Sequence, residues 1–265
     1  MTERLSIDFE DGVADVRLNR PDKLNALDMP MLKALAEAPA RLAAQAGLRA
    51  VVLSGEGRGF CAGLDMETMT GLAGAGLDIV SRTHGLANLF QQTAWGWRTL
   101  PVPVIASGHG VVFGGGLQVF SGADIRIARA DARLSVMEMK WGLVPDMAGF
   151  ALWRGLVRDD VLRELIYTAR EFTGEQAVDL GFVTRLADDP HAEALKLARE
   201  IAARNPDAVR GVKRLANLAR EEGAGPILLA ESVEQAALVA SPNQVEAVMA
   251  NLQKRPPVFA DPASE

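Results

Sequence analysis

The chain has 265 residues, 49% hydrophobic and 23% charged, a composition that marks a folded globular protein and excludes intrinsic disorder. A formal charge of −6 gives the molecule as a whole no attraction for nucleic acid or an anionic membrane surface. One cysteine, Cys61, and three histidines allow no internal disulfide and make a bound metal unexpected. Met1 to Ser6 carries no basic segment leading into an apolar run, and no stretch of about 18 apolar residues occurs. A cytoplasmic protein with no membrane span is the expectation.

In chain order, Leu5–Glu10 and Val13–Leu18 alternate apolar and polar residues around Asp11-Gly12, which predicts a hairpin. Met29–Ala46 has helical composition, with Pro39 predicting a kink or break. Ala50–Ser54 and Val104–Ser107 are short apolar runs closed by glycine, hence buried strands. Asp78–Leu100 is expected to be helical, with Leu86, Leu89 and Phe90 at helical spacing. Leu117–Phe120 starts a helix after three glycines, and Asp124–Ala128 returns as a strand. Alternating strands and helices predict an α/β fold with a largely parallel sheet. From about Phe150 the pattern turns helical: Val161–Thr168, Gly174–Leu180, His191–Arg204, Asp207–Arg220, Pro226–Ala240 and Asn243–Lys254, with at most a brief strand at Val183-Thr184. A soft division follows, 1–190 as the core with the site and 191–265 as a helical assembly region.

Three segments offer chemistry: Gly59-Phe60-Cys61-Ala62-Gly63-Leu64-Asp65, Gly114-Gly115-Gly116, and Met137 to Asp146. Each glycine segment follows an apolar strand, and the second opens a helix, where N–H groups are unpaired and the dipole is positive. Two such loops side by side would aim two backbone donors at one oxygen; the plainer use of the glycines is close strand–helix packing. A dinucleotide fingerprint fails because Phe60 stands where the third glycine falls due, and no phosphate-loop lysine or Gly-x-Ser-x-Gly elbow is present. Glu138 lies among Met137, Met139 and Trp141, a setting that raises a carboxyl pKa; its plain reading is a surface carboxylate. Asp146 is either a second acid or the N-cap of a helix beginning at Met147. His109 and Cys61 read as structural, and Arg154, Arg158 and Arg163 as a solvated stripe.

Together with Arg20-Pro21-Asp22-Lys23-Leu24-Asn25-Ala26-Leu27, Trp141 to Pro145 and Lys254 to Phe259, these motifs resemble the crotonase, or enoyl-CoA hydratase/isomerase, superfamily. The resemblance implies a spiral of ββα units with a helical C-terminal region that builds homotrimers, often paired into hexamers. It implies a coenzyme A thioester as substrate and no separate cofactor. The thioester oxygen would be held by the backbone N–H of Leu64 and of Gly115. Lys23, Leu24, Ala62, Asp65, Met66, Gln118 and Trp141 would contact the substrate, with Lys23 and Leu24 near the CoA phosphates. Hydratases resembling this chain carry glutamates at both the Gln118 and Glu138 positions. The dienoyl-CoA isomerase type pairs a glutamate at position 138 with an acid at 146, and has a carboxylate at 118. The dehalogenase type shares the Asp146 position but has Trp at 138. Three readings follow: double-bond isomerisation with Glu138 shuttling a proton and Asp146 assisting, enoyl-CoA hydration, or a non-catalytic trimeric acyl-CoA binding protein.

Overall fold

The computed structural model describes residues 3–72 and 78–262. The hairpin forms as expected from β1 (Leu5–Glu10) and β2 (Val13–Leu18), with Asp11 and Gly12 both at positive φ in its two-residue turn. Then come α1 (Met29–Ala43), β3 (Ala50–Gly55), α2 (Met66–Leu72) and α3 (Leu89–Thr99). The middle of the chain holds β4 (Val104–Gly108), β5 (Val111–Phe113), α4 (Gly115–Ser121), β6 (Ile125–Ala128) and β7 (Arg133–Ser135). After these lie α5 (Gly149–Trp153), α6 (Asp159–Thr168), β8 (Phe172–Thr173), α7 (Gly174–Asp179) and β9 (Arg185–Leu186). Four helices complete it: α8 (Pro190–Ala202), α9 (Pro206–Leu218), α10 (Ala224–Leu238) and α11 (Pro242–Gln253).

The large sheet has the order β1-β2-β3-β4-β6-β9 and is parallel except for the hairpin; a second sheet has the order β5-β7-β8. Successive passes of the chain build both. β3 is followed by the lone bridge Cys61–Val112, β4 by β5, and β6 by β7, so each pass gives one segment to each sheet. That is the expected ββα spiral. Between the layers lies the main core, with Trp97, Trp153, Phe60 and Phe120 fully buried. On the other face of the large sheet, Ala194 and Ala198 of α8 pack against Val13, Ala50, Val52, Ile105 and Ile127. The division expected at residue 190 therefore separates α8 from the sheet it covers.

Three expectations change. α1 runs through Pro39 without ending, because the ring is buried against α3: a Cβ on Gly96 would come within 2.9 Å of it. The helix expected over 78–100 starts only at Leu89, where Asn88 and Gln91 form a capping box; residues 78–88 are loop and bridge. The brief strand falls at Arg185–Leu186 rather than at Val183-Thr184.

Candidate active site

The loop after β3 is pinned from both sides. Ala62 N–H donates to the Leu24 carbonyl, Cys61 N–H to Val111, and Leu27 bridges to Leu64 through the Gly63 carbonyl and the Asp65 N–H. Asn25, fully buried at positive φ, donates through Nδ2 to the carbonyls of Glu56 and Gly59. Gly63 has φ +89°, and a Cβ there would lie 2.9 Å from the Phe113 carbonyl oxygen and 3.7 Å from the Gly115 nitrogen. The two glycine loops are thus adjacent. A Cβ on Gly116 would strike Cys61 at 2.7 Å, so glycine serves close packing here.

The Leu64 N–H has no hydrogen-bond partner among the described residues. Gly115 is the first residue of α4, so its N–H has no acceptor one turn back. Both residues line a cavity of about 900 Å³. So do Lys23, Ala62, Asp65, Met66, Glu138, Trp141 and Asp146, together with Phe90, Ile79, Leu143, Val144 and Met147. Met66, Trp141, Leu143 and Val144 are exposed and form an apolar rim. Two candidates do not line the cavity. Leu24 ends the turn Pro21–Lys23 and offers its carbonyl to Ala62, and Gln118 lies behind Glu138. Asp65 faces the cavity, but its carboxylate is occupied by Arg20 at 2.7 Å and by the Glu67 and Thr68 N–H groups that start α2. Burial raises its pKa, yet those donors outweigh burial and hold it below the ordinary range.

Gln118 organises the acids. Its Oε1 accepts from the N–H of Met147 and of Gly149, both at 2.9 Å, which fixes the amide orientation. Nε2 is left facing Glu138, donating to Oε1 at 2.6 Å. Glu138 is buried in the turn Glu138–Trp141, and its Oε2 has no partner. Burial pushes its pKa up, the Gln118 bond opposes that, and the nearby Asp146 charge adds to the rise. Asp146 opens onto the cavity but is flanked by protein, and that desolvation raises its pKa too. It is not a helix cap. α5 begins at Gly149 after Ala148 at positive φ, with no side-chain cap. Glu138 is likewise no surface carboxylate. His109 is structural, bonding the Gly57 carbonyl, and the Cys61 thiol is buried with its pKa pushed up to about 12, which leaves it inert. The sequence reading did not single out Arg20 and Asn25 as props of the loop, although both sit in the motif quoted there.

A family model for enoyl-CoA hydratase/isomerase matches residues 8–262. The chain belongs to that family. The mouse mitochondrial Delta(3,5)-Delta(2,4)-dienoyl-CoA isomerase is 30% identical over 252 residues, 92% of this chain and 77% of that protein. The chain spans 64% of the rat protein of the same name. A Bacillus subtilis protein named a probable enoyl-CoA hydratase is 30% identical over 96% of this chain and 98% of its own length. Among solved structures, an enoyl-CoA hydratase of Mycobacterium smegmatis superposes with a TM-score of 0.83 at 31% identity, covering 96% of this chain and 98% of that one. The crotonase fold and an enzyme acting on acyl-CoA follow from this membership.

Proposed function

We propose that this enzyme moves a carbon–carbon double bond in an enoyl- or dienoyl-CoA. The observation that carries the reading is the buried Oε2 of Glu138, unpartnered among the described residues and in one cavity with the Leu64 and Gly115 donors, with an amide rather than a carboxylate hydrogen-bonded to its Oε1. The thioester oxygen accepts from the two N–H groups, so removing a proton from the adjacent carbon places the negative charge where fixed donors already point. Glu138 takes that proton on Oε2, and its raised pKa lets it hold the proton and return it further along the chain. In a 3-enoyl thioester the proton leaves C2 and returns at C4. In a 3,5-diene a proton is delivered at C6, which we assign to protonated Asp146; Glu138 then holds the C2 proton and Asp146 is ionised, and transfer of that proton from Glu138 to Asp146 restores the pair between turnovers. Atoms balance without water or an oxidant, and the coenzyme A belongs to the substrate.

Hydration asks for a second group to activate water. Gln118 cannot supply it, because both ends of its amide are taken. The test is a panel of 2-enoyl-, 3-enoyl- and 3,5-dienoyl-CoA thioesters with products read by mass and absorbance. An absorbance change at constant mass on the 3-enoyl or dienoyl substrate is expected. Addition of the mass of water to the 2-enoyl thioester as the dominant reaction would replace this reading with hydration, and no turnover of any member with intact binding would leave a binding protein.

A further inference from the structure

A second cavity of about 460 Å³ lies against the first. Its walls include Arg82, Arg98, Arg154 and Arg220, opposed by one carboxylate, Glu221. The sequence placed Arg154 in a solvated stripe with Arg158 and Arg163, and the structure separates them. All three are exposed, but Arg158 and Arg163 pair with Asp160 and Asp159, while Arg154 lines the cavity.

None of the four arginines forms an ion pair among the described residues. Arg82 donates to the carbonyls of Ile79 and Val80 and to Gln91, and Arg220 to the Leu152 carbonyl. Arg154 and Arg220 each donate to the other's backbone carbonyl. The Arg98 guanidinium makes no hydrogen bond among the described residues; burial presses its pKa down, and the charges of Asp124 and Glu221 oppose that. Burial first, and then the charges of Arg98 and Arg154, press the Arg220 pKa down, so these guanidinium groups crowd one another. Arg98 and Arg220 are partly buried and Arg82 and Arg154 stand at the open side, and like charges gathered in one concavity are unfavourable until an anion joins them.

Position supplies the identity of the anion. Phe90 lines the acyl cavity while Gln91 lines this one; Met147 lines the first and Ala148 the second; Ile79 and Arg82 divide in the same way. The two cavities therefore share the start of α3 and the segment before α5 as a common wall. Met147 is packed against Gly115, where a Cβ would meet its sulfur at 2.6 Å. An acyl chain held at Gly115 and passing Glu138 and Met147 heads for the arginines. We propose that this cavity is a subsite for a carboxylate at the far end of the acyl chain, making the substrate the mono-CoA thioester of a dicarboxylic acid. The guanidinium fork suits a carboxylate, and a site built for that charge rejects a chain ending in methyl. This rests on the acyl-CoA reading of the first cavity.

The test is calorimetric titration of the whole protein with saturated thioesters in matched pairs, adipyl- against hexanoyl-CoA and suberyl- against octanoyl-CoA. Binding does not require turnover, so it reads the subsite separately from the reaction. At least one dicarboxylyl thioester should bind about 10- to 100-fold more tightly than its methyl-ended partner. Arg98→Met should abolish that preference and leave the methyl-ended chains unchanged; Arg154→Met, at an exposed position, gives a second reading should the first variant fold poorly. Equal or weaker binding of both diacid thioesters, or a loss shared by both members of a pair in both variants, overturns the subsite while the acyl-CoA site stands. Failure of every thioester to bind overturns both.

Discussion

The proposed chemistry turns on Glu138, and the burial of this residue has a consequence for stability that is separate from turnover. The native state binds a proton at Glu138 more tightly than the unfolded chain does, because burial raises its pKa. Stability contributed by this group therefore falls as pH rises from the ordinary carboxylate range through the raised value, and above it the full cost is present. Glu138→Gln should raise the melting temperature at about pH 8 and leave it unchanged at about pH 3, where the carboxyl is neutral in both states. A variant equally stabilised at both would show that burial of charge is not the cause. Gln118→Ala should act differently. It strands the N–H groups of Met147 and Gly149, costing about 1–3 kcal/mol in urea unfolding, and it loosens Glu138, lowering kcat with acyl-CoA affinity held within a few fold. The residue identities at 118, 138 and 146 were legible in the sequence, and so was the chemistry each permits. That Gln118 bridges the acids from behind was not, because its three bonds join segments about 20 to 30 residues apart that only the fold brings together.

Elements bounded by local signals were the readable ones. The apolar runs at β3 and β4 end in glycine, and the hairpin turn has its Asp-Gly, so strands fell where expected. The start of α3 was also written locally, in Asn88 and Gln91, but the apolar spacing of the preceding residues obscured it. Pro39 misled for the opposite reason: a local breaker was overruled by packing against α3. Long-range tethers leave no such trace. Lys213 of α9 is buried and donates to the carbonyls of Trp97 and Val102 and to Asp124, each within 3.2 Å. Burial lowers its pKa, and the Asp124 charge restores part of that. Lys213→Ala should cost about 3–5 kcal/mol by urea unfolding, since two carbonyls lose a donor and Asp124 loses its cation and keeps only the Val104 N–H. A cost below about 1 kcal/mol, the range of an exposed pair, would mean that α9 is held by its other contacts, Asn217 and Arg210 to the carbonyls of Arg98 and Leu48 among them.

At the scale of the whole molecule, α10 and α11 present an uncovered apolar face. Leu228, Leu229, Val233 and Leu252 are each more than 60% exposed, and α10 buries no residue at all. Such a face is what a symmetric assembly covers, and we propose a homotrimer, alone or paired into a hexamer. Light scattering should give that mass at micromolar concentration, and Leu229→Glu should shift it toward monomer; a monomeric wild type would remove the proposal. The helical character of this region was readable from its punctuation by Asn205-Pro206 and Pro242, and the free face of α10 from its composition, apolar with only Glu231 and Glu234 charged; that α8 covers the sheet was not, because only the fold brings Ala194 and Ala198 onto the strands. The central claim, that Glu138 moves a proton at the carbon next to a thioester held by Leu64 and Gly115, is tested most directly by isotope exchange. Wild-type enzyme in D₂O with a bound saturated acyl-CoA should place deuterium on C2, and Glu138→Gln should slow this by at least about 10²-fold, the lower range for loss of a general base, while binding the same thioester within a few fold. Exchange by Glu138→Gln at the wild-type rate would contradict the account.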